Sequence, residues 1–376
     1  MERYDAIVLG AGGVGSAALA HLARRGVRAV GIDRFSPPHD RGSSHGQSRV
    51  IRQAYFEHPH YVPLLVESYR LWHELERLHG ERLFHQVGLI QLGPADGQVV
   101  PGVLRSAAEH GLTVEQMSAE AVQRRWPGIR VGSNLVGVFE PGAGYLRVED
   151  CVRAHLEAAR AAGADLLLDT EVHSWTASDR EVRIQTSRGE LAAERLVIAA
   201  GAWAGQLLAD LNVPLVVRRK SLFWFEATAA DYDVAAGFPV YLFELPDGVF
   251  YGFPKLDVRG VKVAEHTGGR QVADPLVVDR NVDDAEQRRV AAFLAAHLPR
   301  VSNDMSGHTV CLYTMSPDEH FVVDRHPGHE NVVFAAGLSG HGFKFTPVLG
   351  RALAELALDG GTPLPFGFLS LKRFPQ

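Results

Sequence analysis

The sequence predicts an α/β fold made of two interleaved domains, one built from strand–glycine–helix units and one from a mostly antiparallel sheet. Two observations carry this reading. A short buried strand, a glycine turn and a helix recur at the start, middle and end of the chain, in YDAIVLGAGGVG, LVIAAGAWAGQLL and NVVFAAG followed by TPVLGRALAELAL. Between the last two, VVRRKSLFWFEA, PVYLFELPDGVFYGFP and GVKVAEHT read as antiparallel strands, with Pro246-Asp247-Gly248 marking a turn. The first domain is expected over 1–80, 145–215 and 315–376, and the second over 81–144 and 216–314.

Composition narrows the class. A chain of 376 residues has room for roughly two domains. Charged residues make up 22% and the net charge is −6, so no global basic field draws the chain to nucleic acid. Two cysteines exclude a disulfide framework and suit a reducing, cytoplasmic setting. The apolar N-terminus carries Glu2, Asp5 and four glycines and runs on into further fold, so it reads as structure rather than a leader. No run of 18 apolar residues suggests a membrane span, and no histidine pair has the company expected of a metal site.

The first element is the most informative. YDAIVLG is a β-branched run of the kind buried on both faces of a sheet. GAGGVG follows, then SAALAHLARRG as a helix closed by Gly26, then VRAVGID as a second strand. Gly10 permits the tight turn, Gly12 lets backbone approach a pyrophosphate, and Gly15 lets helix and strand pack closely. Asp33 follows Gly15 by 33 − 15 = 18 residues, the place of the acid that accepts from ribose hydroxyls. The helix N-terminus adds free N–H groups and a positive dipole end. This Rossmann-like arrangement implies a dinucleotide and is shared by NAD and FAD sites.

The next segment, RFSPPHDRGSSHGQSRVIRQAY, scatters Arg41, His45, Arg49 and Arg52 among small residues. Spaced by three, Arg49 and Arg52 share a face if the segment is helical. The segment is either a solvated basic turn or a site for phosphate, flavin or a carboxylate. Residues 165–175, DLLLDTEVHSW, read as one strand, and RIQTSRGELAAERLVIAAG as a hairpin into a buried strand. GAWAGQLL reads as a second glycine turn opening a helix.

Several polar residues stand out later. Lys262 lies between Val261 and Val263; pointing inward it needs a partner, pointing outward it meets solvent. Tyr251, His266 and Lys344 have the same two readings, structural or functional. Cys311 opens CLYTMSPDEHF and is either a small buried apolar residue or a reactive thiol. Cys151, on a helical stretch, reads as core.

In order along the chain, VLGAGGVGSAAL, PPHDRGSSHGQSRVIRQAY, RRWPGI, FEPGAGYL, GAWAGQLL, YGFP, CLYTMSPDEHF and AAGLSGHGFKF resemble the monomeric sarcosine oxidases and their relatives that oxidise N-methyltryptophan and pipecolate. The resemblance covers essentially the whole chain. It implies a flavoprotein with FAD attached covalently to Cys311. It also places Gly10, Gly12, Gly13, Val14, Gly15, Asp33, Arg34, His39, Gly42, Ser43, Ser44, Ser48, Arg49, Val50, Val172, Ala200, Gly201, Trp203, Gly340, Gly342, Phe343 and Lys344 along the cofactor.

The same resemblance makes Arg52 and Lys344 the pair that holds a substrate carboxylate, where two cations suit an anion. Tyr251, His266 and Tyr313 line the amine site, and Leu242 sizes the pocket wall. His45 and Arg49 lie beside the flavin ring, and Lys262 is the cation at which oxygen is reduced. The implied reaction oxidises a secondary amine with oxygen as acceptor, turning sarcosine into glycine, formaldehyde and hydrogen peroxide. Another N-methyl amino acid or a cyclic secondary amine remains an alternative substrate. A FAD- or NAD-dependent dehydrogenase that does not use oxygen, and a flavin-binding partner subunit without turnover, are the alternative functions. The expected partners are a small amine and molecular oxygen, and the expected state is a monomer.

Overall fold

The computed structural model describes residues 2–374. Strand Glu2–Leu9 sits inside an eight-stranded sheet, and Ile7 and Val8 have no exposed surface. It runs parallel to Ala29–Ile32 on one side and to Gly189–Ile198 on the other. Strand His329–Ala336 extends the parallel set from Gly189–Ile198, so the sheet joins both ends of the chain to its middle. Helix Gly13–Arg24 starts directly from the first strand. Gly10 has φ +88°, and a Cβ on Gly15 would stand 1.7 Å from the Gly10 carbonyl oxygen. Only glycine at both places lets the chain turn and the helix pack so close.

The last helix, Thr346–Asp359, lies against the first: a Cβ on Gly350 would come within 2.6 Å of Ala17. Their apolar faces, with those of Tyr55, Tyr61 and Leu65, make one core over the parallel sheet.

A second eight-stranded sheet runs in the order Met305–Met315, Val216–Phe225, Val261–Glu265, Gly248–Phe253, Val240–Leu245, Leu89–Gly93, Val136–Glu140, Glu115–Ser118. Alternation divides its side chains between two faces. Phe223, Tyr241, Phe243 and Phe250 pack with Phe293 of helix Asp284–His297 on one side. Leu242, Tyr251, Ala264, Cys311 and Tyr313 share the other. A three-stranded sheet of Ser48–Ile51, Gly144–Arg147 and Phe84–Gln86 lies apart from both.

Three local expectations are corrected. Residues 165–175 are two strands, Asp165–Leu167 and part of Val172–Ala177, separated where Asp169 takes φ +50°. The first extends the parallel sheet beside Ala29–Ile32, and the second turns back to pair with Val182–Thr186. GAWAGQLL opens only a 3₁₀ turn, Gly201–Trp203, and a single helical turn, Ala204–Leu207. The segment holding Arg49 is a strand, so Arg49 and Arg52 do not share a helical face; they go to different partners, described next.

Candidate active site

The end of the first strand, the start of the first helix and the N-terminal approach to the last helix enclose a cleft with about 1430 Å³ of empty space. The first helix has Gly12 at its N-cap, with no side chain to cap it; Gly13 N–H donates to Ser44 Oγ at 3.2 Å, and Gly12, Gly13 and Val14 face the cleft. Of the residues expected along the cofactor, Gly10, Gly12, Gly13, Val14, Asp33, Arg34, His39, Gly42, Ser43, Ser44, Arg49, Val172, Ala200, Gly201, Trp203, Cys311, Gly340, Gly342 and Phe343 line this cleft. Gly15, Ser48, Val50 and Lys344 lie outside the lining. Gly15 faces the Gly10 carbonyl, and Ser48 faces Lys262.

Asp33 Oδ2 accepts from Ala11 N–H at 2.8 Å and Oδ1 from Phe35 N–H at 2.9 Å, which fixes the carboxylate at the cleft edge. Three lining groups have no protein partner: Trp203 Nε1, Thr314 Oγ1 and Thr346 Oγ1. Buried polar atoms are nearly always paired, so these fit a polar ligand spread along the cleft. An elongated, partly apolar cleft with an uncapped helix at one side and orphaned donors along it suits FAD. Thr314, inside CLYTMSPDEHF, and Thr346 were not singled out from the sequence.

Cys311 sits on strand Met305–Met315 at 1% exposure and faces the cleft. Arg49 Nη2 donates to its sulfur at 3.1 Å and to Ser43 O at 2.8 Å, while Nη1 donates to Ser48 O at 2.9 Å. Cys151, by contrast, is enclosed in helix Val148–Ala161, and burial pushes its thiol well up.

Lys262 points inward. Nζ donates to Gly46 O at 2.5 Å and Ser48 O at 2.8 Å, and lies 4.7 Å from the Phe253 ring centroid and 5.6 Å from that of Trp224. Burial, with Arg49 nearby, pulls its pKa well below the ordinary lysine value. His45 packs beside the same loop, with Nε2 unpartnered, and burial next to Arg49 pulls it down to about 3. It lines a separate outer groove with Gln47, Trp224 and Arg259, not the main cleft.

Tyr251, Tyr313 and His266 form a chain of hydroxyl and imidazole groups, Tyr251 OH to Tyr313 OH at 3.5 Å and Tyr313 OH to His266 Nδ1 at 3.5 Å. Burial and the charge of Lys220 bring His266 down to about 4, so it is neutral near pH 7. Gly340, at φ +79°, packs on Tyr313: a Cβ there would stand 2.2 Å from the ring. Leu242 lies directly across from Tyr251 in the sheet.

Arg52 and Lys344 meet at Tyr55. The Arg52 guanidinium is 4.1 Å from the Tyr55 ring centroid and Lys344 Nζ is 5.1 Å from it. Arg52 Nη2 donates to both Glu57 oxygens, at 2.6 and 2.7 Å. Lys344 Nζ donates to His341 O at 2.7 Å. Burial, with Arg52 close by, pulls Lys344 down to about 7. Burial pushes the Glu57 carboxyl up, but Arg52, His341 and Lys344 outweigh it and hold the group at about 2. Neither Tyr55 nor Glu57 was singled out from the sequence, where both sit in the unpatterned run AYFEHPHY.

Among the described residues no helix is long and apolar enough to cross a membrane, and no group of three His, Cys, Asp or Glu is placed to hold a metal ion.

The chain is similar to known proteins over nearly its whole length. The family model described as FAD dependent oxidoreductase matches residues 5–356. The chain is 40% identical over 376 residues to a monomeric sarcosine oxidase of Bacillus sp. (strain B-0618), covering 99% of this chain and 96% of that one. It is 38% identical over 385 residues to an N-methyl-L-tryptophan oxidase of Salmonella dublin, covering all of both. Among solved structures, the open form of NikD, an unusual amino acid oxidase of nikkomycin biosynthesis, superposes with a TM-score of 0.87 at 25% identity over 98% of each chain.

Proposed function

The chain belongs to the FAD dependent oxidoreductase family, and from that premise we propose that it oxidises sarcosine or a related N-methyl amino acid, with oxygen as acceptor. Bound FAD would supply the redox chemistry, taking a hydride equivalent from the carbon beside nitrogen and passing electrons to oxygen as hydrogen peroxide. The observation that carries the substrate class is the buried pair Arg52 and Lys344, both within about 5 Å of the Tyr55 ring centroid. Glu57 is paired with Arg52, whereas Lys344 Nζ donates to neutral oxygens, those of His341 and the Tyr55 hydroxyl; a second anion, the carboxylate of an amino acid, would find Lys344 without an anionic partner and would compete with Glu57 at Arg52.

The protein's own residues then have distinct tasks. The residues of 1–80, 145–215 and 315–376 would hold the cofactor, with Gly12 and the helix behind it at the pyrophosphate and Asp33 at a ribose. Those of 81–144 and 216–314 would bound the amine. Cys311 is the candidate for covalent attachment, its sulfur held by Arg49. Neutral His266 and the two tyrosine hydroxyls can accept from or donate to the amine without adding charge, which keeps it in its unprotonated, oxidisable form. Leu242 and Tyr251 wall the space beside it. Lys262 offers a buried cation to oxygen as negative charge builds on it. One chain supplies every residue invoked.

The test is direct. Purified protein given sarcosine should consume oxygen and form formaldehyde and peroxide in equal amounts. Reduction of a dye without oxygen uptake would replace the oxidase with a dehydrogenase.

A further inference from the structure

Gln91 stands in the middle of an apolar strand, Leu89–Gly93, and has no exposed surface. Neither its Oε1 nor its Nε2 has a partner. Its neighbours in the chain, Ile90 and Leu92, belong to the phenylalanine-rich face of the second sheet. Alternation therefore puts Gln91 on the opposite face. Register fixes where on that face. Gln91 pairs with Leu242, Leu242 with Tyr251, and Tyr251 with Ala264. On its other side Gln91 pairs with Val138. Leu242, Tyr251, Ala264 and Val138 all belong to one apolar cluster, together with Cys311 and Tyr313. Of the two glutamines in this row, Gln116 beyond Val138 is exposed, and Gln91 is the buried one.

A completely buried primary amide with both ends unpaired is costly, and such a group in a folded protein calls for a specific reason. Neighbouring strands lie about 4.8 Å apart, so two strand spacings put Gln91 about 10 Å from Tyr251 along the sheet. That is beyond the reach of sarcosine, which has no side chain. It is within reach of the far end of a longer amino acid side chain that slides past Leu242, an unbranched-stem residue able to change rotamer.

Resting on the amine-oxidase reading above, we infer that Gln91 is a specificity residue, which recognises a hydrogen-bonding group at the end of the substrate's side chain. An amide both donates and accepts, so the substrate class is an N-methyl amino acid whose side chain carries a group of the same kind, such as a carboxamide. An apolar side chain of the same length leaves the amide unpaired in the complex and is discriminated against.

The experiment compares kcat/KM for N-methyl-L-glutamine and N-methyl-L-norleucine in the wild-type holoenzyme and in Gln91→Met, with sarcosine as the reference substrate. The wild type should prefer the amide, and Gln91→Met should lower the ratio of the two side-chain substrates by about tenfold to a hundredfold, the worth of one satisfied buried hydrogen bond. Gln91→Asn, which keeps the amide but draws it back by one methylene, should lower the ratio partway. A ratio unchanged in both variants overturns the inference, whether the individual rates stay level or fall together, because a purely structural role moves both substrates alike. Sarcosine turnover in the wild type keeps that outcome separate from a failure of the oxidase reading, which would show as no turnover of any secondary amine.

Discussion

Arg52 and Glu57 form a buried ion pair in which one guanidinium nitrogen reaches both carboxylate oxygens, at 2.6 and 2.7 Å. The arginine assigned to the substrate carboxylate is thus already held by an internal one. Substrate must compete with Glu57 or displace it. Replacing Glu57 by Gln removes the competitor but leaves a buried cation, at a cost of up to roughly 3 kcal/mol of stability. The expected result is a lower melting temperature that a carboxylate ligand raises more in Glu57→Gln than in the wild type. Thermal unfolding with and without methoxyacetate measures this; equal shifts in both proteins would show that Glu57 does not compete.

Lys262 has two backbone carbonyls and the Ser48 hydroxyl as partners and no carboxylate within hydrogen-bonding reach. No internal anion competes for it, and negative charge arising beside it would favour its protonated form. Lys262→Met should slow reoxidation of reduced enzyme by oxygen at least a hundredfold, about 2.7 kcal/mol, while reduction by substrate changes far less. Stopped-flow measurement of the two half-reactions separates these, and equal losses in both would remove Lys262 from the oxygen step.

Cys311 can lose its sulfur without leaving Arg49 adrift, since Arg49 also donates to Ser43 O and Ser48 O. Cys311→Ser should fold and bind FAD. On acid precipitation its flavin should appear in the supernatant, whereas wild-type flavin stays in the pellet. A wild-type supernatant that is already yellow would mean that FAD is bound without a covalent bond.

Lys344 titrates at about 7, against an ordinary value of 10.5. Below about pH 7 it is charged and supports carboxylate binding; above, the free protein loses that charge. Affinity for methoxyacetate should weaken by up to tenfold per pH unit above 7, and Lys344→Met should flatten the profile. The sign for stability is opposite. Between about 7 and 10.5 the unfolded chain holds the proton that the folded chain has lost, so this group makes the fold more stable as pH rises across that window. Titrating the flavin spectrum with the ligand across pH checks the first effect, and urea unfolding checks the second.

The sequence made the nucleotide end of the fold readable because its geometry demands glycine: a carbonyl oxygen stands 1.7 Å from where a side chain on Gly15 would begin, and another 2.5 Å from where one on Gly10 would. Cys311 and Lys262 were legible as misfits, a thiol and a cation inside apolar strands. Arg49 and Arg52 were found, but their relation was misread, since helical spacing was applied to a strand that sends one to Cys311 and the other to Glu57. Glu57 and Tyr55 lie in a run with no periodicity, so nothing local marks them. Gln91, in LIQLG, lies in no motif and was not singled out; only the register, which joins residues far apart in sequence, shows that both faces of that strand are buried.

The parallel sheet sets an order on the birth of the protein. Leu9 pairs with Ile32 and Ile198, and Leu196 pairs with Val332, so the first strand gains one neighbour at once and the other only at mid-chain, and that second neighbour gains its own only once residue 332 is made. The cleft needs Gly10 from the beginning and Thr346 from near the end. A ribosome adding about 5 to 20 residues per second takes roughly ten to forty seconds to go from the first strand to its second neighbour. The cleft lining is complete only once Thr346 has been made, so a full FAD site waits for the approach to the last helix.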